Sequence, residues 1–306
     1  MTNLTWYLLE SKRWPARMAR PQVSIEVAAE LDLLSRPGGP HHSEGPNSTV
    51  ESFSPPDLVR RGAKIAREYF ELQHGVRRDG LAAVVSAGPP GSGKSTALMD
   101  AGFDPAHYRD VDADLVKVLL LRQALHEGTF DELLSRELAD GRPVRPMELA
   151  TLVHKESASI AYNVAEVSMR RGENVVIQGT LAWDEQPRRL LAKLDEFEYQ
   201  ELLILDVESD LDAVLDRSLE RWWVGRNDPS DDLGGRFVPT ELIRNLFLPD
   251  GSTKCRANAE VMLALSDRMR TELRVSFTRS GMHTETVTTR GTGIEGAQFP
   301  SLGGPD

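Results

Sequence analysis

From about residue 57 onward, the hydrophobic positions follow two alternating patterns. Short and largely apolar runs at 81–87, 174–178 and 201–207 are typical of strands buried on both faces. Longer segments between them, such as 57–75 and 114–126, carry apolar residues at helical spacing. Because parallel strands need crossover connections, the alternation predicts an α/β three-layer fold around a mainly parallel central sheet.

The same patterns predict the remaining elements. Another strand is predicted at 108–112, and segments 272–278 and 284–290 are predicted to form a strand pair. The other helices are predicted near Lys94 and at 129–139, 146–171, 186–195, 209–223 and 240–248. In sheets of this kind ligands bind beyond the carboxyl ends of the strands, so the residues that follow strands are the candidates for chemistry.

The two ends of the chain differ from its middle. Residues 36–56 hold five prolines and three glycines, a composition typical of a linker or an irregular loop, and Val27–Leu34 before them is predicted to be helical. We therefore divide the chain into a helical N-terminal extension with linker (1–56), a central domain (57–290) and a disordered tail (291–306).

Composition narrows the class of protein. The 306 residues carry a formal charge of −11, which argues against a general nucleic-acid binder. A single cysteine, Cys255, excludes a disulfide framework and a multi-cysteine zinc site. The chain has no apolar run of membrane-spanning length, and Glu10 interrupts the N-terminal pattern of a signal peptide, so we expect a cytoplasmic protein without a membrane partner.

The segment after strand 81–87 reads GPPGSGKST and fits the pattern G-x-x-x-x-G-K-[ST]. Its glycines let backbone N–H groups curl around a phosphate, and the next helix presents free N–H groups to the same anion. Lys94 is expected to bridge the outer phosphates, and Ser95 to offer its hydroxyl to Mg²⁺. The predicted nucleotide-binding residues are Gly88, Pro89, Pro90, Gly91, Ser92, Gly93, Lys94, Ser95 and Thr96.

Asp114 lies 20 residues beyond Lys94, where a strand ends and a helix begins. A carboxylate at this edge of the sheet can take a proton from an attacking hydroxyl. The residues alone leave a second interpretation equally open, in which Asp114 caps the helix and Asp112 is a solvated turn residue.

Other motifs separate the classes of phosphate-loop protein. No NKxD-type element of a GTPase is present, and Asp206 lacks the following acidic residue of a motor ATPase. Small-molecule kinases remain, and these close arginines over the phosphates. Arg221 stands on a predicted helix face and Arg236 follows Gly234-Gly235, which we interpret as hinges of a mobile lid. The alternative is that such arginines only pair with neighbouring acids on a helix face.

Five stretches together resemble the zeta-toxin-like kinases of bacterial toxin–antitoxin systems. They occur in order over residues 80–248 and read GPPGSGKST, VDADLVK, RRGENVVIQGT, LDRSLERWWVGR and GGRFVPTELI. The resemblance implies a P-loop kinase fold and transfer of phosphate from ATP to a hydroxyl, in the best-known members the sugar 3′-hydroxyl of UDP-N-acetylglucosamine. It also implies an antitoxin protein as partner.

Carried over by position, the resemblance makes Asp114 the base that activates the acceptor. It makes Lys94, Arg221 and Arg236 the phosphate contacts and Ser95 the Mg²⁺ ligand, and Thr180 matches a substrate-contacting threonine.

This chain departs from the family at two substrate positions. Gln178 stands where the family often has an acidic residue, and Tyr162 stands where a second substrate-holding glutamate is found. Glu156 heads a polar stripe on the same predicted helix, which either faces a ligand or faces water. We take Glu156, Gln178 and Thr180 as the substrate-binding candidates.

The sequence therefore predicts an ATP- and Mg²⁺-dependent small-molecule kinase, with UDP-N-acetylglucosamine as the leading acceptor. The same chemistry on another acceptor, such as a nucleotide cofactor or an antibiotic, stays open. So does a non-catalytic, ATP-gated binding protein.

Overall fold

The computed structural model describes residues 21–78, 81–279 and 282–290. The predicted disordered tail at 291–306 lies outside the described residues, as do residues 1–20. No helix in the described part of the chain is long and apolar enough to cross a membrane.

Six strands form one sheet in the order β2-β3-β1-β4-β5-β6. The first five of these are parallel, and β6 closes the edge as the antiparallel arm of a hairpin with β5. This topology confirms the predicted α/β class. The strands are β1 (Ala82–Ala87), β2 (Arg109–Asp112), β3 (Val175–Gln178), β4 (Glu201–Ser209), β5 (Arg270–Arg279) and β6 (Met282–Arg290).

Eleven α-helices surround the sheet in the described residues. They are α1 (Gln22–Leu34), α2 (Thr49–Ser52), α3 (Pro55–Glu71), α4 (Lys94–Asp100), α5 (Ala113–Glu127), α6 (Asp131–Leu134), α7 (His154–Arg170), α8 (Gln186–Glu196), α9 (Leu211–Asn227), α10 (Thr240–Arg244) and α11 (Lys254–Leu265).

The helices cover both faces of the sheet. On one face Ala83, Val85 and Ala87 of β1 join a large apolar cluster with most of the helices. On the other face Ala82 and Val84 pack in a smaller cluster that includes Leu98 of α4. Burial on both faces explains why β1 reads as a continuous apolar run.

Three elements differ from the sequence-based expectation. The helix predicted at 129–139 is the single turn α6, followed by a short bridge between Glu137 and Pro143. The helix predicted at 146–171 begins with a separate 3-10 turn, Pro146–Leu149, whose Glu148 is drawn into buried contacts with other segments. Helix α11 was not predicted.

The N-terminal extension belongs to the main core. Val27 and Leu31 of α1 are fully buried in the large apolar cluster. The proline- and glycine-rich segment after α1 is irregular as far as the single turn α2, and it is packed, since the backbone N–H of Thr49 donates to the carbonyl of Leu152 at 3.0 Å.

Candidate functional site

The loop between β1 and α4 is shaped by three glycines with positive φ, namely 129° at Gly88, 86° at Gly91 and 110° at Gly93. A Cβ added at Gly88 would lie 2.3 Å from the carbonyl oxygen of Val207, and one at Gly91 would lie 2.9 Å from that of Val214. The loop can therefore follow this path, against β4 and α9, only with glycine at these positions.

Lys94 and Ser92 complete this loop. The Lys94 ammonium donates to the carbonyls of Gly88 at 2.7 Å and Pro89 at 2.8 Å, so the side chain folds over the loop itself. Burial lowers the pKa of Lys94 to about 8. The buried Ser92 hydroxyl has no protein partner. An ammonium and an unpartnered hydroxyl on a glycine loop fit a chain of phosphates.

Asp112 ends β2 and caps α5, because its side chain accepts a hydrogen bond from the backbone N–H of Asp114 at 2.8 Å. Burial raises the pKa of Asp112, while the positive charges of Lys117, Arg236, Lys94 and Arg221 lower it. The capping role that the sequence left open thus falls to Asp112.

Asp114 opens α5 with a side chain that is 42% exposed. Its carboxylate accepts from the Lys117 ammonium at 2.8 Å and forms an ion pair with the Arg236 guanidinium. It is therefore free to meet a ligand on its exposed side while two cations hold its orientation.

Arg221 of α9 and Arg236, which belong to two different segments, both lie close to Asp112. Burial lowers the pKa of each guanidinium, and the charge of Asp112 raises both. The structure thus gathers Lys94, Arg221, Arg236 and Asp114 around Asp112, at the carboxyl edge of the parallel sheet. These four were the predicted catalytic residues.

The segment that carries Arg236 is closely packed at Gly234-Gly235, the pair predicted as hinges. A Cβ at Gly235 would lie 2.0 Å from the carbonyl oxygen of Trp222, and one at Gly234 would lie 2.9 Å from Arg145. These glycines permit close packing. The backbone N–H of Met147 also donates to the carbonyl of Leu233 at 3.0 Å.

Arg226, at the end of α9, has a structural role. It is 3% exposed and donates to Asp140 at 2.8 Å and to Glu148 at 2.7 Å. Trp222 donates to the same Glu148 at 2.8 Å. These contacts anchor α9 to the segment before α7.

Gln178 ends β3 beside a carboxylate that sequence reasoning missed. Its side-chain Nε2 donates to Oδ1 of Asp110 at 2.7 Å, while Oδ2 of Asp110 has no partner. Asp110 is 1% exposed, and its burial raises the pKa to about 7. The one signal in the sequence was an acidic residue inside a predicted strand, two positions before Asp112 and therefore on the same side of that strand.

The other two substrate candidates lie in different surroundings. Thr180 is at the site, because its carbonyl accepts from the backbone N–H of Gly88 at 3.1 Å. Glu156 is 4% exposed and pairs with Arg61 at 3.3 Å, and Arg61 also pairs with Glu127 at 2.7 Å. Glu127 ends α5, roughly 20 Å along that helix from Asp114. The polar stripe headed by Glu156 therefore begins in a buried ion pair.

Ser95 occupies the first turn of α4, directly after Lys94. In the described residues no group of three or more His, Cys, Asp or Glu side chains could hold a metal ion by itself. A Mg²⁺ ion here would depend on Ser95 together with the nucleotide phosphates, which is how this ion is commonly bound.

We compared the chain with known proteins, first by sequence and then by fold. No protein-family profile and no curated protein matches the chain. Among solved structures, one described as the PezAT chromosomal toxin-antitoxin system of the human pathogen Streptococcus pneumoniae matches with TM-score 0.50 and 12% identity, over 74% of this chain and 79% of that chain. A structure described as AvrRxo1-ORF1:AvrRxo1-ORF2 with sulphate ions matches with TM-score 0.47 and 14% identity, over 75% and 65% of the two chains. At this identity the first match shows a shared fold.

Proposed function

We propose that this chain is an ATP- and Mg²⁺-dependent small-molecule kinase of the zeta-toxin-like type, which transfers the γ-phosphate to an acceptor hydroxyl. The observation that carries the proposal is the convergence of three cations from three segments, Lys94, Arg221 and Arg236, on the carboxylates at the end of β2. Phosphoryl transfer relies on such cations to neutralise the charge of the transferring group.

Each residue has a distinct task in this proposal. The glycine loop 88–93 holds the phosphate chain through its backbone, and Ser92 offers its unpartnered hydroxyl. Lys94 leaves the carbonyls of Gly88 and Pro89 for the outer phosphates. Ser95 would hold Mg²⁺, which screens the phosphate charge when it is bound.

Asp114 is the proposed general base. Its exposed carboxylate can accept the proton of an acceptor hydroxyl and orient that oxygen for in-line attack. Arg236 is paired with Asp114 in this structure, and its proposed task is to contact both the base and the transferring phosphate. Arg221 supports the same phosphate from α9.

The leading acceptor is UDP-N-acetylglucosamine, through its sugar 3′-hydroxyl, with Thr180 and Gln178 as the proposed acceptor contacts. Glu156 is proposed to stabilise the helix packing through Arg61 instead. A different acceptor is the second candidate, and the Asp110–Gln178 hydrogen bond favours it. Gln178 is uncharged, so it cannot replace the charge of a carboxylate, and this bond commits one of its two amide N–H groups to Asp110.

We also propose a cytoplasmic location and an antitoxin protein as partner. Support for the partner is the match to a structure described as part of a toxin-antitoxin system. Expression in a bacterial host is then expected to arrest growth.

The decisive experiment is mass spectrometry of the purified protein with ATP, Mg²⁺ and UDP-N-acetylglucosamine. The expected product is heavier than the acceptor by one phosphate. Asp114→Asn should abolish the product and leave ATP affinity within about threefold, since the amide keeps the size of the side chain but cannot take the proton. It should also relieve the growth arrest.

Three outcomes would change or refute the proposal. Full activity of Asp114→Asn removes Asp114 from the mechanism. Normal ATP binding without any product replaces UDP-N-acetylglucosamine by another acceptor, to be sought in metabolite extracts with the same pair of proteins. Failure of the wild-type protein to bind ATP refutes the kinase itself.

A further inference from the structure

The two arginines of the site are each followed in sequence by an aromatic residue. Trp222 follows Arg221, and Phe237 follows Arg236. The two rings pack edge to face with centroids 5.2 Å apart. The backbone also approaches closely here, as a Cβ at Gly235 would clash with the carbonyl of Trp222. The Trp222–Phe237 contact therefore joins the two segments that carry the arginines.

Helix α1 lies beside this contact. Its residues Ala28 and Asp32 line a cleft of about 200 Å³ together with Leu219 and Trp222 of α9 and Thr240 of α10. Helix α1 is itself held firmly, since its Leu31 is fully buried in the large apolar cluster. It is thus a rigid support for the arginine-bearing segments.

Asp32 makes a two-pronged contact from α1 to the start of α10. Its Oδ1 accepts from the backbone N–H of Thr240 at 2.8 Å, and its Oδ2 accepts from the Thr240 hydroxyl at 2.6 Å. Thr240 comes only four residues after Arg236. Hydrogen bonds to a charged acceptor are among the stronger ones in proteins, so this contact fixes the end of the segment that carries Arg236.

A second acid on α1 anchors the other arginine segment. Glu30 accepts from the backbone N–H of Ala139 at 3.0 Å. The adjacent Asp140 binds Arg226 at the end of α9, at 2.8 Å. Helix α1 is therefore connected to both arginine-bearing segments. Glu30 is connected to α9 through residues 139–140, and Asp32 to the segment that carries Arg236, the partner of Asp114.

We propose that Asp32 is a positioning residue for phosphoryl transfer, which sets the place of Arg236 relative to Arg221 through its two hydrogen bonds with Thr240. The inference rests on the proposed kinase function. It makes α1 part of the machinery that holds the transferring phosphate.

The test compares Asp32→Ala with Glu26→Ala. Glu26→Ala is a matched control, because Glu26 lies exposed on the same helix, its replacement removes the same charge, and its carboxylate accepts from the side chain of Gln22 one turn earlier. Asp32→Asn serves as the conservative variant, since its amide can accept from the Thr240 N–H and donate to the Thr240 hydroxyl. Thr240→Val removes one hydrogen bond at nearly constant shape.

Two measurements are made on each protein. The first is the affinity for Mg²⁺-ADP, alone and with aluminium fluoride, which mimics the transferring phosphate. Asp32→Ala is expected to weaken the fluoride complex on the order of tenfold and to leave ADP unchanged. Thr240→Val and Asp32→Asn should weaken it less, and Glu26→Ala should match wild type. The second is hydrogen–deuterium exchange over residues 235–245, which should accelerate in Asp32→Ala.

The outcomes separate the inference from the function on which it rests. Equal losses for ADP and for its fluoride complex in Asp32→Ala overturn the inference, because they place the effect outside the arginines. Unchanged affinity for the fluoride complex also overturns it. If the wild-type protein binds neither ligand, the proposed kinase function is refuted. Hydrogen–deuterium exchange then tests the inference by itself, and an unchanged exchange rate over residues 235–245 in Asp32→Ala would show that Asp32 does not hold this segment.

Discussion

Replacing Asp110 by asparagine is expected to stabilise the protein, and more so at high pH. Asp110 is 1% exposed, and one of its oxygens has no partner. Burial raises its pKa from 3.8 to about 7, with a further contribution from the charge of Asp112. Asparagine removes the ionisable group but keeps an oxygen that can accept from Gln178.

The sign follows from proton linkage. A carboxyl with a raised pKa in the folded state favours folding fully only below the pKa of the unfolded chain, and that contribution is lost as the pH rises through the folded pKa. Each unit of pKa difference corresponds to about 1.4 kcal/mol. For a folded pKa of about 7 against 3.8, the wild-type carboxyl costs on the order of 2 kcal/mol at pH 5 and 4 kcal/mol at pH 8.

Urea unfolding at pH 5, 6.5 and 8, followed by tryptophan fluorescence, measures this difference. The gain in unfolding free energy of Asp110→Asn over wild type should grow by roughly 2 kcal/mol from pH 5 to pH 8. Asp100→Asn, at an exposed aspartate of α4, is the control. A gain that stays constant with pH, or a loss at every pH, would refute the argument that the buried carboxyl opposes folding.

Two further predictions concern the phosphate loop and the arginine segment. Burial lowers the pKa of Lys94 to about 8, and phosphates need its ammonium form. ATP affinity measured by calorimetry should therefore be constant near pH 7 and fall by up to about tenfold per pH unit well above pH 8. Lys94→Met should lack this slope, and a flat wild-type profile would contradict the assignment of Lys94 to the phosphates. Gly235→Ala should cost roughly 3 kcal/mol or more in thermal unfolding, because its Cβ would lie 2.0 Å from the Trp222 carbonyl oxygen. Gly62→Ala, whose Cβ would meet Ile160 at an ordinary 3.5 Å, should not destabilise, so equal losses in the two variants would argue against the steric cause.

The sequence was sufficient for the parts of the fold that depend on local pattern. Strand β1 reads as apolar throughout because both of its faces are covered, and the glycine loop after it has a conformation that few other residues allow. The mainly parallel sheet was also expected, since the crossover helices are visible as amphipathic segments between the strands.

The parts that were missed depend on partners distant in sequence. In the sequence Arg226 is one of several arginines between residues 217 and 236, and its buried partner Glu148 lies 78 residues away. Gly234-Gly235 is predicted as a hinge because glycine permits flexibility, but glycine also permits close packing, and the approach of the Trp222 backbone to Gly235 is not visible in the sequence. Asp110 reads as an ordinary strand residue until Gln178 is placed beside it.

The contact between Asp32 and Thr240 joins residues 208 positions apart, which bears on how the chain folds during synthesis. At the usual ribosomal rate of about 5–20 residues per second, α1 waits roughly 10–40 s for this partner to be made. Closing so long a loop is also a late event in folding, because its entropy must be offset by contacts that form only near the end. The glycine loop also waits, because it packs against Val207 of β4 and Val214 of α9, which are made only shortly before Arg236. The phosphate site therefore comes into existence as a whole, late in synthesis, and not piece by piece along the chain.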